Sequence, residues 1–356
     1  MTEFTCETSE RVARAGRLLT EAGFAGDFDM VPMAGGANSK VFRIAFTSGA
    51  PPLFFKQYFF HPDDMRDRLG AEYSFVSFAW GKGLKSLARP FAMDREGRCA
   101  LYAFLEGRKL QPHEISHSHV AQCLQFYEAI NACKESPEAS LLPTASEACF
   151  CLRDHWQCLR RRIERLKRIT PNSEVDEQAL AFIQQDLAPL CADYLAKAHN
   201  RAAALGLSAT SALAMADSCL SPSDFGFHNV LQSADGTLCF LDFEYAGWDD
   251  PAKTICDFFC QPACPVPMQH YARFADTFVR TMSNPNLHRS RFDLLLPLYQ
   301  LKWCCIMLND FLPSGSSRRR FALHDLDESA RKYNQICKSR KALVGFLGNQ
   351  SNRIAV

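Results

Sequence analysis

Residues 221–257 read SPSDFGFHNVLQSADGTLCFLDFEYAGWDDPAKTICD. Two short apolar runs, Val230-Leu231 and Leu238-Cys239-Phe240-Leu241, flank Asp235-Gly236. An Asp-Gly pair between strand-like runs predicts a hairpin, because both turn residues must tolerate positive φ. With 235–236 as a two-residue loop, Asn229 faces Asp242 at the hairpin's open end. An amide and a carboxylate there offer oxygens suited to a hard cation such as Mg²⁺. Asp224 lies on the loop that enters the hairpin.

An Asp, four intervening residues, an Asn, a hairpin and then Asp-Phe is the order of parts in a kinase catalytic segment. There the first Asp takes the proton of the attacking hydroxyl, and the Asn and second Asp hold metal on the phosphates. The same residues also suit a plain surface hairpin, since turns and caps favour Asp and Asn. The rest of the chain has to separate the two.

Upstream, residues 29–58 predict three strands, over 29–33, 40–46 and 53–58. Between the first two lies Gly35-Gly36-Ala37-Asn38-Ser39. Glycines at such a turn let backbone N–H groups approach phosphate oxygens. Lys56 sits among apolar residues of the third strand, where a lysine needs a partner for its ammonium. Helical periodicity over 64–83 places Leu69, Tyr73 and Val76 on one face, with Glu72 one position away. In a kinase, the strand lysine pairs with a Glu from such a helix. Residues 89–107 predict a second hairpin whose last strand leads out of the sheet. Its exit, at Phe104 and Leu105, offers backbone groups to an adenine.

From residue 108 the pattern turns helical, with helices expected near 112–130, 150–170, 176–205, 268–282, 290–311 and 321–342. Asp250 and Pro251 predict a capped helix start. His117 and His119 form an HxH pair, and Cys256, Cys260 and Cys264 recur at helical spacing. Neither has the surrounding ligands that a metal site needs.

The chain has 356 residues, 47% hydrophobic and 22% charged, with a net charge of +1. That length suits two lobes. The balance of charge gives no argument for nucleic acid or membrane as a partner. With no apolar run of membrane-spanning length and no apolar leader near the first residue, a cytoplasmic protein is expected. Sixteen cysteines, mostly inside apolar runs, read as reduced core thiols.

Taken together, these motifs resemble the aminoglycoside phosphotransferase and choline kinase superfamily, and SPSDFGFHN resembles one bacterial branch of it. The resemblance implies an α+β, protein-kinase-like fold. A small antiparallel-sheet lobe over 1–107 would bind nucleotide, and a large helical lobe over 108–356 would bind the acceptor. It implies ATP and Mg²⁺, with Gly35, Gly36, Asn38 and Ser39 in the nucleotide loop. Lys56 would grip phosphates and Glu72 would hold Lys56. Asp224 would be catalytic, Asn229 and Asp242 the metal ligands. Asp257 would brace the catalytic loop. The expected reaction is phosphoryl transfer to a hydroxyl of a sugar, aminocyclitol or amino alcohol.

One departure matters. Where the superfamily has His-Gly before the catalytic Asp, this chain has Pro222-Ser223. A pseudokinase that binds nucleotide without transfer therefore stays open. A protein kinase also stays open, although no long activation segment follows Asp242. Asp249, Asp250 and Glu244 would suit a cationic acceptor, and Arg318, Arg319 and Arg320 an anionic one. The sequence chooses neither, and it leaves the oligomeric state open.

Overall fold

Alternating burial builds the first sheet. The structure, a computed structural model, describes residues 2–33, 39–62, 64–313 and 327–354. Strands β1 (Phe28–Met33), β2 (Ser39–Phe46), β3 (Leu53–Tyr58), β4 (Pro90–Asp94) and β5 (Cys99–Ala103) form one antiparallel sheet in the order β1-β2-β3-β5-β4. Side chains on a strand alternate between faces. Ile44, Leu53, Phe55 and Leu101 therefore meet Ala15, Leu18 and Leu19 of helix α1 (Thr2–Glu21) on one face. Tyr58, Ala100 and Tyr102 meet Leu69, Phe75 and Val76 of helix α2 (Arg68–Gly81) on the other.

The remainder is mostly helical: α3 (His117–Asn131), α4 (Leu152–Leu166), α5 (Glu174–Phe182), α6 (Ala188–Ala204), α7 (Pro251–Cys260), α8 (Tyr271–Val279), α9 (Pro285–Met307) and α10 (Glu328–Ile354). Helix α9 is the axis of this part, packing against α4, α6, α7, α8 and α10. The single helix expected over 176–205 is divided. A π turn, Ile183–Leu187, joins α5 to α6. Pro189 lies in the first turn of α6 and lacks an N–H to donate to the preceding turn, and the wider turn accommodates that loss.

Two small antiparallel pairs carry the stretch that opened the sequence reading. Strand β6 (Cys219–Ser221) pairs with β9 (Gly247–Asp249), and β7 (Val230–Gln232) with β8 (Leu238–Phe240). The hairpin is real, but its loop is longer than expected. Gly236 N donates to Ser233 O at 3.0 Å and Ser233 N to Thr237 O at 2.9 Å. Gly236 has φ +86°. This is a three-residue loop, a turn followed by a left-handed glycine. The register moves by one residue, so Val230 faces Phe240 and Asn229 lies opposite Leu241, not Asp242.

The hairpin sits where the sheet meets the helices. Phe240 N donates to Ser86 O at 2.7 Å on the sheet side. On the other side, Arg108 and Gln232 exchange N–H···O bonds of 3.0 and 2.9 Å just after the chain leaves β5. Gly107 makes that crossing possible by close approach. A Cβ there would lie 2.9 Å from Gln232 O and 3.0 Å from Leu231 Cβ. Gly107→Ala is expected to cost about 1–3 kcal/mol, read as a lower melting temperature. An unchanged melting temperature would show that the crossing yields freely.

Candidate active site

Lys56 is where the sheet, α2 and the hairpin converge. On β3 it faces opposite to Phe55, toward α2. On α2, Arg68, Leu69, Glu72, Phe75, Val76 and Ala79 are buried at helical spacing, so Glu72 points inward with the core residues. Asp67 caps this helix, its carboxylate accepting from Gly70 N at 2.8 Å. Lys56 Nζ donates to Glu72 Oε2 at 2.7 Å and to Asp242 Oδ1 at 2.6 Å. Burial alone would lower the Lys56 pKa. The charges of Asp242, Glu72 and Glu244 outweigh it and hold the ammonium well above its ordinary value. The carboxylates show the reverse strain. Burial and the Asp242 charge push Glu244 up to about 7, and burial pushes Glu72 up despite Lys56.

The loop bearing Asp224 is tied down at its start. Thr254 Oγ1, on α7, donates to Ser221 Oγ at 2.8 Å, and Ser223 N donates to Ser221 Oγ at 3.0 Å. Ser223 has φ +66°, the left-handed region that favours glycine. Asn229 Nδ2 then donates to Asp224 O at 3.0 Å and lies 3.4 Å from Asp224 Oδ2. His228 Nε2 lies 3.2 Å from Asp224 Oδ1. Burial raises the Asp224 pKa, but the bond and charge of His228, the Asn229 amide and the charge of Lys302 together bring it below the ordinary carboxylate range. Asp224 is therefore ionised at neutral pH.

Asn229 and Asp242 come to this centre differently from the expected cross-strand pair. Leu241 N donates to Asn229 O at 2.9 Å, so Asp242 is the next residue along. Its backbone turns left-handed there, φ +65°, and its carboxylate reaches Lys56. With the Asn229 amide nitrogen committed to Asp224, its carbonyl oxygen is the atom left to offer a cation. Asp242, Glu72 and Glu244 together outnumber Lys56, and Arg68 Nε stands 3.8 Å from Glu244 Oε1. An oxygen-rich centre with excess negative charge fits a hard divalent cation.

Three expectations for α7 and its lead-in are corrected. Asp249 is fully buried. It accepts from Cys149 N and Asp250 N, both at 2.9 Å, and pairs with Lys253. Asp250 is equally buried, capping α7 through Ala252 N at 2.8 Å and pairing with His155 and Arg291. Both are structural and neither is placed to attract an acceptor. Asp257 does not spend its carboxylate on the catalytic loop. It takes Lys302 Nζ at 2.8 and 2.9 Å and Trp303 Nε1 at 2.8 Å, both from α9. Thr254 braces the loop instead.

Ser39 is buried at the start of β2, opposite Tyr58. Phe104 and Leu105 follow β5 directly, with the Arg43 guanidinium 5.4 Å from the Phe104 ring. Gly35, Gly36 and Asn38 lie outside the described residues, as do Arg318, Arg319 and Arg320. The sequence reading missed His228, Lys302 and Trp303. His228 stands beside Asn229 in the motif and was legible there. Lys302 and Trp303 carry no local signal, since only the packing of α9 on α7 brings them in. His117 and His119, the HxH pair, diverge: Arg273 Nη1 lies 2.5 Å from His117 Nε2, and His119 meets Gln232 at 2.9 Å.

Residues 29–282 match the model of a family described as the phosphotransferase enzyme family. The chain belongs to that family. No curated protein matches it in sequence. Among solved structures, the fold of this phosphotransferase is similar to spectinomycin phosphotransferase (TM-score 0.58, 10% identity, 90% of this chain and 96% of that one covered). It is similar also to a Plasmodium vivax ethanolamine kinase (0.56, 11%, 88% and 82%). A Streptococcus pneumoniae choline kinase gives 0.55, 12%, 95% and 99%. At such identities the likeness is one of fold: a small antiparallel-sheet lobe and a large helical lobe, α+β and kinase-like.

Within this family frame the Ser223 backbone yields a direct expectation. Ser223→Gly should stabilise the phosphotransferase by up to about 1 kcal/mol, because the left-handed conformation no longer clashes with a Cβ. A rise in melting temperature checks it. A fall would mean that the serine side chain does more than tolerate the strain.

Proposed function

We propose that this protein is an ATP- and Mg²⁺-dependent phosphotransferase that moves the γ-phosphoryl group to a hydroxyl of a small molecule: a sugar, an aminocyclitol or an amino alcohol. The convergence of Lys56, Glu72 and Asp242 beside the Asp224–Asn229 loop carries this reading. Lys56, oriented by Glu72, would bind the nucleotide's phosphates, and Phe104 and Leu105 would flank its base. Asn229 and Asp242 would hold Mg²⁺, which supplies charge neutralisation on the phosphates. Asp224 would orient the acceptor hydroxyl and accept its proton. The acceptor oxygen bonds to the γ-phosphorus as the bond to the ADP oxygen breaks, and positioning does most of the work. On this reading the lobes divide at Gly107, with 1–107 serving nucleotide and 108–356 serving acceptor.

The pseudokinase reading drew its support from Pro222-Ser223. The bonds from Thr254 to Ser221 and from Ser223 to Ser221 favour an active loop, because they hold it without the missing His-Gly. Against a protein kinase, β9 and α7 follow Asp242 almost at once and leave little platform for a peptide.

Mg²⁺-ATP is expected to raise the melting temperature of the wild type but not of Asp242→Ala. Asp224→Asn should keep that shift and lose acceptor-dependent ADP release by about 10²–10⁴-fold. A wild type blind to Mg²⁺-ATP would refute the nucleotide site. Retained ADP release in Asp224→Asn would remove Asp224 from catalysis.

His228 adds a pH signature. Its bond lowers the Asp224 pKa, so His228→Ala should raise it. Asp224 must be ionised to accept a proton, so the acid limb of kcat/KM should move to higher pH in the variant. A profile that only falls in height, with no displaced limb, would assign His228 a packing role.

A further inference from the structure

Resting on the phosphotransferase reading above, we propose that Lys109 is a second nucleotide ligand: its ammonium, seated on the backbone of the Asp224–Asn229 loop, bonds the phosphate chain of the bound nucleotide.

Lys109 comes directly after the crossing from the sheet to the helices. The paired backbone bonds of Arg108 with Gln232 fix the chain there. The Arg108 side chain is spent on Glu114 and Gln232. Lys109 reaches the loop instead, and its Nζ donates to His228 O at 2.6 Å. His228 precedes Asn229 in the chain, and its ring nitrogen lies 3.2 Å from Asp224 Oδ1. Desolvation lowers the Lys109 pKa and the charge of Asp242 opposes it, so the ammonium stands within the field of a proposed metal ligand. Lys109 is four residues beyond Leu105 and bonded beside Asn229. A nucleotide with its base at Phe104 and Leu105 and its phosphates at Asn229 and Asp242 has to pass it.

The other cations around this centre are committed: Lys56 to Glu72 and Asp242, Arg68 to Asp64 and Lys302 to Asp257. Lys109 is exposed and pairs with no carboxylate among the described residues. An ammonium has three donors, and the His228 carbonyl takes one. The donors that remain suit phosphate oxygens, where charge strengthens the bond. The charge balance points the same way. Lys56 is already shared between two carboxylates, so Lys56 and one Mg²⁺ do not offset a nucleoside triphosphate, and Lys109 supplies the further positive charge. A lysine that only braced the His228 carbonyl would need no charge, which separates the two roles experimentally.

The test measures the dissociation constant of Mg²⁺-ADP by calorimetry for wild type, Lys109→Gln, Lys109→Met and Lys109→Arg, with the melting temperature of each unliganded protein. Lys109→Gln keeps a donor for His228 O and loses the charge, so it is expected to fold like the wild type even where Lys109→Met does not. Lys109→Gln should bind Mg²⁺-ADP about tenfold more weakly, and Lys109→Arg should recover most of that loss. Added salt should weaken binding less in Lys109→Gln than in the wild type, because one screened attraction is gone. Wild-type affinity in Lys109→Gln overturns the proposal and leaves Lys109 as a brace of the loop. Lys109→Arg binding as weakly as Lys109→Gln overturns it too, since charge would then not be what the nucleotide reads. In both cases the phosphotransferase reading survives. A wild type that binds no Mg²⁺-nucleotide defeats that reading, and this proposal with it.

Discussion

One buried ammonium organises the molecule. Lys56 arises from the sheet, Glu72 from α2 and Asp242 from the end of the hairpin, yet all three meet within 2.7 Å contacts. Such a cluster is a poor stabiliser. Desolvating the charges consumes most of their attraction, while removing one partner leaves an uncompensated buried charge at about 3–5 kcal/mol. The cluster also holds more negative charge than Lys56 offsets. Burial is the chief cause of the raised pKa values of Glu72 and Glu244, and the charge of Asp242 adds to it. A purely structural core would have been built more cheaply from apolar groups. On the proposed function, that surplus suits a divalent cation and an anionic substrate.

Strain lies on both sides of the same centre. Ser223 and Asp242 both take left-handed backbone, a conformation that costs a residue with a Cβ about 1–2 kcal/mol. Each is held by specific bonds, Ser223 through Ser221 and Thr254, and Asp242 through Lys56. This recasts the Pro222-Ser223 departure. What position 223 requires is a left-handed turn leading into Asp224. Glycine reaches it without strain, and here serine reaches it under restraint from α7. The Asp224 carboxylate, held low by His228 and Asn229, arrives ionised.

What could be read from the sequence was whatever local chemistry dictates. Strand alternation located the sheet, the lone lysine among apolar residues marked Lys56, and the spacing of Asp224, Asn229 and Asp242 marked the loop. The limits were equally physical. The Asp-Gly pair suggested a two-residue loop, whereas Ser233 and Thr237 close a three-residue one, and a shift of one residue changes every facing pair. Asp249 and Asp250 looked available because nothing nearby in sequence neutralises them both. Arg291 and His155 come from distant helices.

That asymmetry explains why the reaction is easier to read than the acceptor. Phosphoryl transfer needs a fixed set of groups at short spacings, and those spacings survive in a single stretch of chain. The packing of α9 on α7, by contrast, joins residues 45 apart in sequence, where Lys302 meets Asp257, and no local motif announces it. The surroundings of the Asp224 loop therefore depend on helix packing that the motif by which the chain is recognised does not contain.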